Sequence, residues 1–370
     1  MKGVKTVDSY GKRIQQVQKV LKEQDTDFLV LAPSANMFYL TGLKTVADER
    51  FQAVVISQEG IPLLVLPEMY KEIALFGQGS KWQLITWADQ ENPMDLIAAQ
   101  ISVQKSKVAV DDRMWTSHFL SLRHVFGPAE FYPASQLMKQ VRVYKDEEEL
   151  DLLRRSGALI DQVMEAVMQE IRPGIKEKEL AAFVESQIKT KGGDDISFKP
   201  IVAAGPNGSS PHHVSGERAL ENGDFVIVDI GAVLNGYCSD ITRTFCLGKA
   251  TPEMKKVYQA VQAANEAGFK AAAEGVPCEK VDQAARQVIA EAGYGSYFIH
   301  RTGHGIGLDY HEEPYMVEGN NTPLEVGMVF SVEPGIYLPG KFGVRIEDIV
   351  ALTKEGPVRF NNFSRNLIEL

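Results

Sequence analysis

Cysteine is scarce in this chain: Cys238, Cys246 and Cys278 are the only three among 370 residues. An odd number without CxxC or zinc-finger spacing argues against a disulfide framework and against a thiolate metal site, and it suits a reducing compartment. Long apolar runs are missing too, and the opening Met-Lys-Gly-Val-Lys has no apolar signal core. No membrane partner is therefore expected, and the cytoplasm is the expected location. Dense Lys/Arg runs are absent, and the formal charge is −10 with a pI near 5.3. Nucleic acid is not an expected partner. Short-period repeats and low-complexity tracts are lacking as well. Histidine is sparse but unevenly placed, with five of seven residues lying between positions 212 and 311.

The remainder is ordinary for a packed globular protein, with 44% hydrophobic and 24% charged residues. Its length predicts two domains. Residues 10 to 24 repeat apolar side chains at helical spacing, Phe28 to Leu31 reads as a buried strand, and Phe51 to Ser57 and Pro62 to Pro67 flank a Gln-Glu-Gly turn. Lys107 to Val110 adds another strand, so the first half reads as mixed α/β. Near residue 140 a charged stretch with Lys145, Asp146 and Glu147 to Glu149 opens a long helical pattern that stops at Pro173-Gly174. The predicted domains are 1–140 and 141–370, with the chemistry in the second.

Five segments of the second half carry that chemistry. Asp224 to Gly231 is an apolar strand ending on Asp229, and Tyr237 to Thr244 carries Asp240 after an Asn235-Gly236 turn. A hairpin would bring the two aspartates together, although such a pair alone is a weak signal, since most are turn or edge acids. Thr302-Gly-His304-Gly-Ile-Gly-Leu-Asp-Tyr-His311 places two histidines in a glycine-rich stretch, which read alone is as well a surface loop. Phe330-Ser-Val-Glu333 and Gly343-Val-Arg345-Ile-Glu347 each set one glutamate in an apolar strand. A carboxylate there is costly unless paired or bound to a cation. A salt bridge with Arg345 is the bland alternative. Four carboxylates and an imidazole suit Mn²⁺, Co²⁺ or Zn²⁺, and a two-cation site about 3.5–4 Å across activates water for amide hydrolysis.

At these residues the chain resembles the pita-bread metallopeptidases, which include methionine aminopeptidase, aminopeptidase P and prolidase. The likeness spans about residues 145 to 360, and the ligand spacings of 11, 64, 29 and 14 between positions 229, 240, 304, 333 and 347 are closest to prolidase. Asn36-Met-Phe-Tyr-Leu-Thr-Gly42 resembles the creatinase-type N-terminal domain of prolidases and aminopeptidases P. The resemblance implies an α/β N-terminal domain followed by an α+β pita-bread catalytic domain. It implies an exopeptidase that hydrolyses the Xaa-Pro bond at peptide N-termini, most closely a dipeptidase, with an aminopeptidase on longer peptides as the alternative. The metal ligands would be Asp229, Asp240, His304, Glu333 and Glu347, holding two divalent cations with manganese foremost. Glu333 would also take a proton from the attacking water. His212, His300 and His311 would meet the substrate, while Arg345 and Tyr237 would hold ligand carboxylates in orientation. Xaa-Pro dipeptides or short peptides and a second copy of the chain are the implied partners.

The chain departs from the family in one place. Prolidases often carry, after the second histidine, an Arg that pairs with the dipeptide carboxylate, whereas here the segment ends on Tyr315. Arg301, Arg345 or a more distant residue could replace it, and His213 stays open between function and structure. A metal-free creatinase-like hydrolase and a non-catalytic binding protein on the same fold are the readings from other classes, and the intact ligand set weighs against both.

Overall fold

The protein is described by a computed structural model covering residues 7–76, 82–102 and 106–370. The chain divides into two compact units between Arg142 and Val143.

The first unit holds helices α1 (Val7–Glu23), α2 (Ala35–Thr41), α3 (Lys71–Phe76), α4 (Pro93–Ala98), α5 (Thr116–Phe126) and α6 (Ser135–Arg142). Its strands are β1 (Phe28–Leu31), β2 (Ala53–Ser57), β3 (Leu63–Pro67), β4 (Gln83–Trp87), β5 (Lys107–Val110) and β6 (Glu130–Pro133). They form one mixed sheet in the order β4-β3-β2-β1-β5-β6, with β1, β5 and β6 parallel and β2 antiparallel to both its neighbours. Strands β1, β2 and β3 are buried almost throughout, which is why they read as unbroken apolar runs rather than alternating ones.

The second unit opens with α7 (Glu147–Glu170) and α8 (Glu177–Thr190). Asp146 starts α7 through a reciprocal box: it accepts from the Glu149 backbone amide while the Glu149 side chain accepts from its own. Three glutamates in the first turn add favourable charge at the positive end of the helix dipole. Strands β7 (Asp195–Ile196), β8 (Ile201–Ala204), β9 (Phe225–Ile230), β10 (Ala232–Leu234), β11 (Tyr237–Cys238) and β12 (Ile241–Cys246) follow. Next come α9 (Pro252–Ala271) and α10 (Cys278–Glu291), then β13 (Gly303–Gly305), β14 (Glu312–Met316), β15 (Val329–Val332), β16 (Gly335–Leu338), β17 (Phe342–Arg345), β18 (Asp348–Thr353) and β19 (Gly356–Arg359).

Two sheets of this unit frame the site. One has the order β12-β9-β8 and the other β14-β13-β15-β18-β19, and all their pairings are antiparallel. Helices α7 and α8 pack on the first through Ile160, Val163, Leu180, Val226 and Val228, while α9 and α10 close a second core with Val257, Val261, Ile289 and Val344. The expected aspartate hairpin is present. Asn235 and Gly236 have φ of 50° and 88°, the I′ geometry of a two-residue hairpin turn, and beyond the small β10–β11 pair the chain returns so that β12 sets Thr242 opposite Asp229.

Candidate metal centre

Strand ends, not strand interiors, deliver most of the polar groups. Asp229 is next to last in β9, Asp240 immediately precedes β12, Glu333 immediately follows β15, and Glu347 lies between β17 and β18. The glutamates therefore sit at breaks in the ladders rather than within strands, as their apolar surroundings suggested. His304 is the middle residue of β13, where Gly303 is indispensable: a Cβ there would lie 1.9 Å from the Ser331 carbonyl oxygen. Only glycine allows β13 to approach β15 this closely.

These side chains converge. Ligand atoms of Asp240, His304 and Glu347 lie within 4.8 Å of one another, an arrangement able to hold a cation. His304 Nε2 is 3.2 Å from Glu333 Oε1 and 3.8 Å from Asp240 Oδ2. Its Nδ1 lies 3.1 Å from the Gly305 carbonyl, an obligate acceptor, so Nδ1 carries a hydrogen and Nε2 is the ring nitrogen turned on the carboxylates. Nε2 and the carboxylate oxygens it faces require a cation or a proton between them. The same demand comes from Asp229 Oδ1, Asp240 Oδ1 and Glu347 Oε1, three buried oxygens without a hydrogen-bond partner among the described residues.

Burial raises the Asp229 carboxyl, with Arg345 pulling it back. Burial also lifts Asp240 and Glu347 well above the usual carboxylate range, with neighbouring carboxylates adding to it. For Glu333 burial acts upward as well, but the adjoining His304 outweighs it and holds this carboxyl below its usual value. The donor set therefore fits divalent cations: hard oxygens plus one imidazole, crowded, desolvated and short of positive charge.

The orienting partners lie two residues from the ligands along the chain. Thr242, two after Asp240, donates to Glu347 Oε2 at 2.6 Å and accepts from Arg345 Nε at 3.2 Å. Ser331, two before Glu333, donates to its Oε1 at 3.1 Å. Arg345, two before Glu347, donates to Asp229 Oδ2 at 2.6 Å and to the Tyr337 hydroxyl at 2.8 Å. Arg345 is thus buried and spoken for, a brace rather than a group reaching substrate. Tyr237, expected beside the ligands, donates instead to Glu149 at 2.8 Å; the tyrosine that meets Arg345 is Tyr337.

His300 ends the same chain of bonds. Its Nδ1 is 2.7 Å from the Arg301 carbonyl and so carries the hydrogen, and burial lowers its pKa and keeps the ring neutral. Nε2 then accepts from the Tyr337 hydroxyl at 2.9 Å, a phenol that burial pushes up to about 12. Both ring nitrogens are engaged. His311 stands apart, its ring packed between Tyr310 and His304 with centroids 4.7 and 4.0 Å away. The ring still reaches solvent, yet desolvation of its faces and the neighbouring His304 lower its pKa, leaving a neutral imidazole near pH 7.

A cavity of about 520 Å³ opens over this cluster. His212, His300 and His311 all line it, as do Phe198, Lys199, Tyr310 and Arg301. Phe198 and Tyr310, with ring centroids 5.7 Å apart, form an apolar wall. Phe198 and Tyr337 were not foreseeable from spacing, because neither lies in a ligand-bearing segment, and Tyr310, though within the His304 stretch, was not singled out.

His213 does not line this cavity. Its Nε2 is 2.8 Å from Glu177 Oε2. The buried Glu177 also accepts from the Ala204 amide at 2.9 Å, from Asn207 Nδ2 at 3.0 Å and from the Gly216 amide at 3.2 Å. One carboxylate thus staples both ends of the segment that carries His212 to the first turn of α8. Glu177→Gln turns an amide toward donors, and the expected result is a loss of about 1–3 kcal/mol together with a raised KM. Thermal melts and initial rates test this; an unchanged KM would show that the staple does not position His212.

The profile of metallopeptidase family M24 matches residues 151–354, and that of the creatinase/prolidase N-terminal domain matches residues 13–144. The chain is 40% identical over 364 residues to "Probable dipeptidase PepE" of Mycobacterium tuberculosis, covering 97% of this chain and 96% of that protein. It is 34% identical over 362 residues to the "Xaa-Pro dipeptidase" of Lactobacillus helveticus, covering 96% and 98%. Among solved structures, a recombinant prolidase from Thermococcus sibiricus superposes with a TM-score of 0.93 at 40% identity, over 98% of this chain and 99% of that one.

Proposed function

The chain belongs to metallopeptidase family M24, with a creatinase/prolidase N-terminal domain ahead of the catalytic domain, and from that premise we propose that it is an Xaa-Pro dipeptidase. The observation that carries the metal centre is the set of three partnerless buried carboxylate oxygens, on Asp229, Asp240 and Glu347, at a cluster where ligand atoms of Asp240, His304 and Glu347 lie within 4.8 Å of one another. In this reading Asp229, Asp240, His304, Glu333 and Glu347 hold two divalent cations, with manganese as the native metal. Bound there, such cations supply Lewis acidity toward a carbonyl and a water of lowered pKa. Glu333 takes the proton of the attacking water, since its carboxyl is ionised and faces the cavity. His311, a neutral imidazole at the cavity, donates to the carbonyl oxygen as negative charge develops on it. His212 contacts the substrate from the stapled segment, and His300, which lines the cavity, is tied through the Tyr337 hydroxyl to Arg345. Phe198 and Tyr310 offer apolar faces to a proline ring.

The dipeptide reading draws support from relatives described as dipeptidases and from a cavity within the usual range of about 300–1,000 Å³ for small-ligand pockets. Assay of Ala-Pro against Ala-Pro-Ala after stripping and reloading with Mn²⁺, Co²⁺ or Zn²⁺ tests it, with preferential cleavage of Ala-Pro in Mn²⁺ expected. Faster cleavage of the tripeptide would move the enzyme to the aminopeptidase reading. A homodimer in the cytoplasm completes the proposal, and sedimentation velocity and cell fractionation check those two points.

Chelation has a signed effect on stability. Asp240 and Glu347 have folded pKa values raised well above their ordinary ones. The protonated forms therefore add stability that is complete below about pH 4 and is lost as pH rises through the raised folded values. Metal-free protein should thus melt at lower temperature at pH 8 than at pH 5.5, and the gain from Mn²⁺ should be larger at pH 8, because protons and cations compete for the same oxygens. Equal gains at both pH values would count against the cluster as the cation site.

A further inference from the structure

We propose that Asn265 is a positioning residue of the metal centre that sets the separation of Glu333 and Glu347; this rests on the two-cation reading above. Asn265 lies in the interior of α9, where asparagine is a weak helix former, and it is 1% exposed. A polar side chain so placed must find its partners inside the protein. It finds three, and two of them adjoin ligands. Nδ2 donates to the Val332 carbonyl at 2.8 Å and to the Ile346 carbonyl at 3.2 Å. Val332 directly precedes Glu333, and Ile346 directly precedes Glu347. Carbonyls only accept and a guanidinium only donates, so the amide faces one way: Nδ2 serves the two carbonyls while Oδ1 accepts from Arg359 Nη2 at 3.2 Å.

Val332 ends β15 and Ile346 follows β17, strands that belong to different sheets. One planar amide therefore bridges the two segments at the point where each gives up a glutamate. Its own anchor is held in turn. Arg359 Nη2 also donates to Glu266 Oε2 at 2.9 Å, and the guanidinium lies 3.7 Å from the centroid of the Phe269 ring, both on α9. A carboxylate one residue beyond a pinned carbonyl has little freedom to drift, and two cations about 3.5–4 Å apart tolerate little drift in the groups that hold them. Asn265 does not line the cavity, so it acts on the ligands and not on the substrate.

Mn²⁺ titration followed by electron paramagnetic resonance tests this, because it reads both the affinity and the spin coupling of a close pair of ions. Asn265→Leu keeps nearly the same size and removes both donors. It should weaken Mn²⁺ binding about tenfold to a hundredfold, the usual loss when a group supporting a ligand is removed, and diminish the coupled signal. In saturating Mn²⁺ its kcat for Ala-Pro should fall while KM stays that of wild type. Val261→Ala, in the core one turn earlier on α9, is the control: it should lower the melting temperature in chelator yet bind Mn²⁺ as wild type does. Asn265→Ser, whose hydroxyl can serve one carbonyl at most, repeats the test should the leucine variant fail to fold. Affinity and coupling unchanged in the Asn265 variants, or weakened equally in Val261→Ala, would overturn the assignment while the peptidase reading stands. A wild type that binds a coupled pair but cleaves no Xaa-Pro peptide defeats the dipeptidase reading and leaves the Mn²⁺ titrations to decide Asn265. A wild type that binds no pair overturns both.

Discussion

Glu333→Gln should lower kcat by about 10²–10⁴-fold, the span associated with losing a general base, while leaving the melting temperature of the metal-free protein close to that of wild type. The carboxylate follows β15, lies 3.2 Å from His304 Nε2, and is half-buried where the other cavity-lining carboxylates, Asp229, Asp240 and Glu347, are buried. Glutamine preserves the shape and can still accept from Ser331, 3.1 Å away. It cannot take a proton from water at neutral pH. Metal content should be measured on the same samples, because Glu333 is also placed among the ligands. A fall in activity that tracks lost metal and disappears at saturating Mn²⁺ would remove Glu333 from the role of base.

Arg345→Met should destabilise the metal-free protein by about 3–5 kcal/mol, the usual consequence of removing one partner of a buried ion pair. Asp229 would be left charged in an apolar strand, and the Thr242 and Tyr337 hydroxyls would each lose a donor. Asp229→Asn in the same chain should recover much of the loss, and a double-mutant cycle in chelator, read from denaturant midpoints, measures the coupling. Saturating metal should shrink the effect of Arg345→Met, since a cation at the cluster compensates Asp229. A midpoint in chelator indistinguishable from wild type would show that the pair contributes nothing to folding.

How much of this could be read from the chain alone depended on whether a residue announced itself by local pattern. The aspartate hairpin was legible because Asn235-Gly236 is a strong turn signal between two apolar runs, and it closes with both φ values positive. The embedded glutamates were legible from the cost of a carboxylate among Val, Ile and Phe. Thr242, Ser331 and Arg345 follow from strand geometry, in which residues two apart share a face, so a polar residue two positions from an acid is its natural partner. Arg345 was placed on that ground, whereas Thr242 and Ser331 were passed over. Tyr337 lies outside such a rule: it comes from the β16–β17 hairpin and meets Arg345 and His300 only through the tertiary fold. Tyr237 was misplaced for the mirror-image reason, since proximity in sequence to Asp240 does not carry across a strand end. His213 was undecidable until Glu177, 36 positions earlier, appeared as its partner.

The polar cluster draws on both framing sheets. Asp229 and Asp240 belong to the β8–β9–β12 side, His304 and Glu333 to the β13–β15–β18 side, and Glu347 touches Thr242 across an isolated bridge between them. Cations gripped from both sides would act as rivets through a seam that few backbone bonds cross. Stripping them would loosen that seam before either sheet melts, so amide hydrogens along β12 and β17 should become the earliest to exchange. The feature that equips the fold for hydrolysis is then also its mechanical fastening, and metal supply governs both.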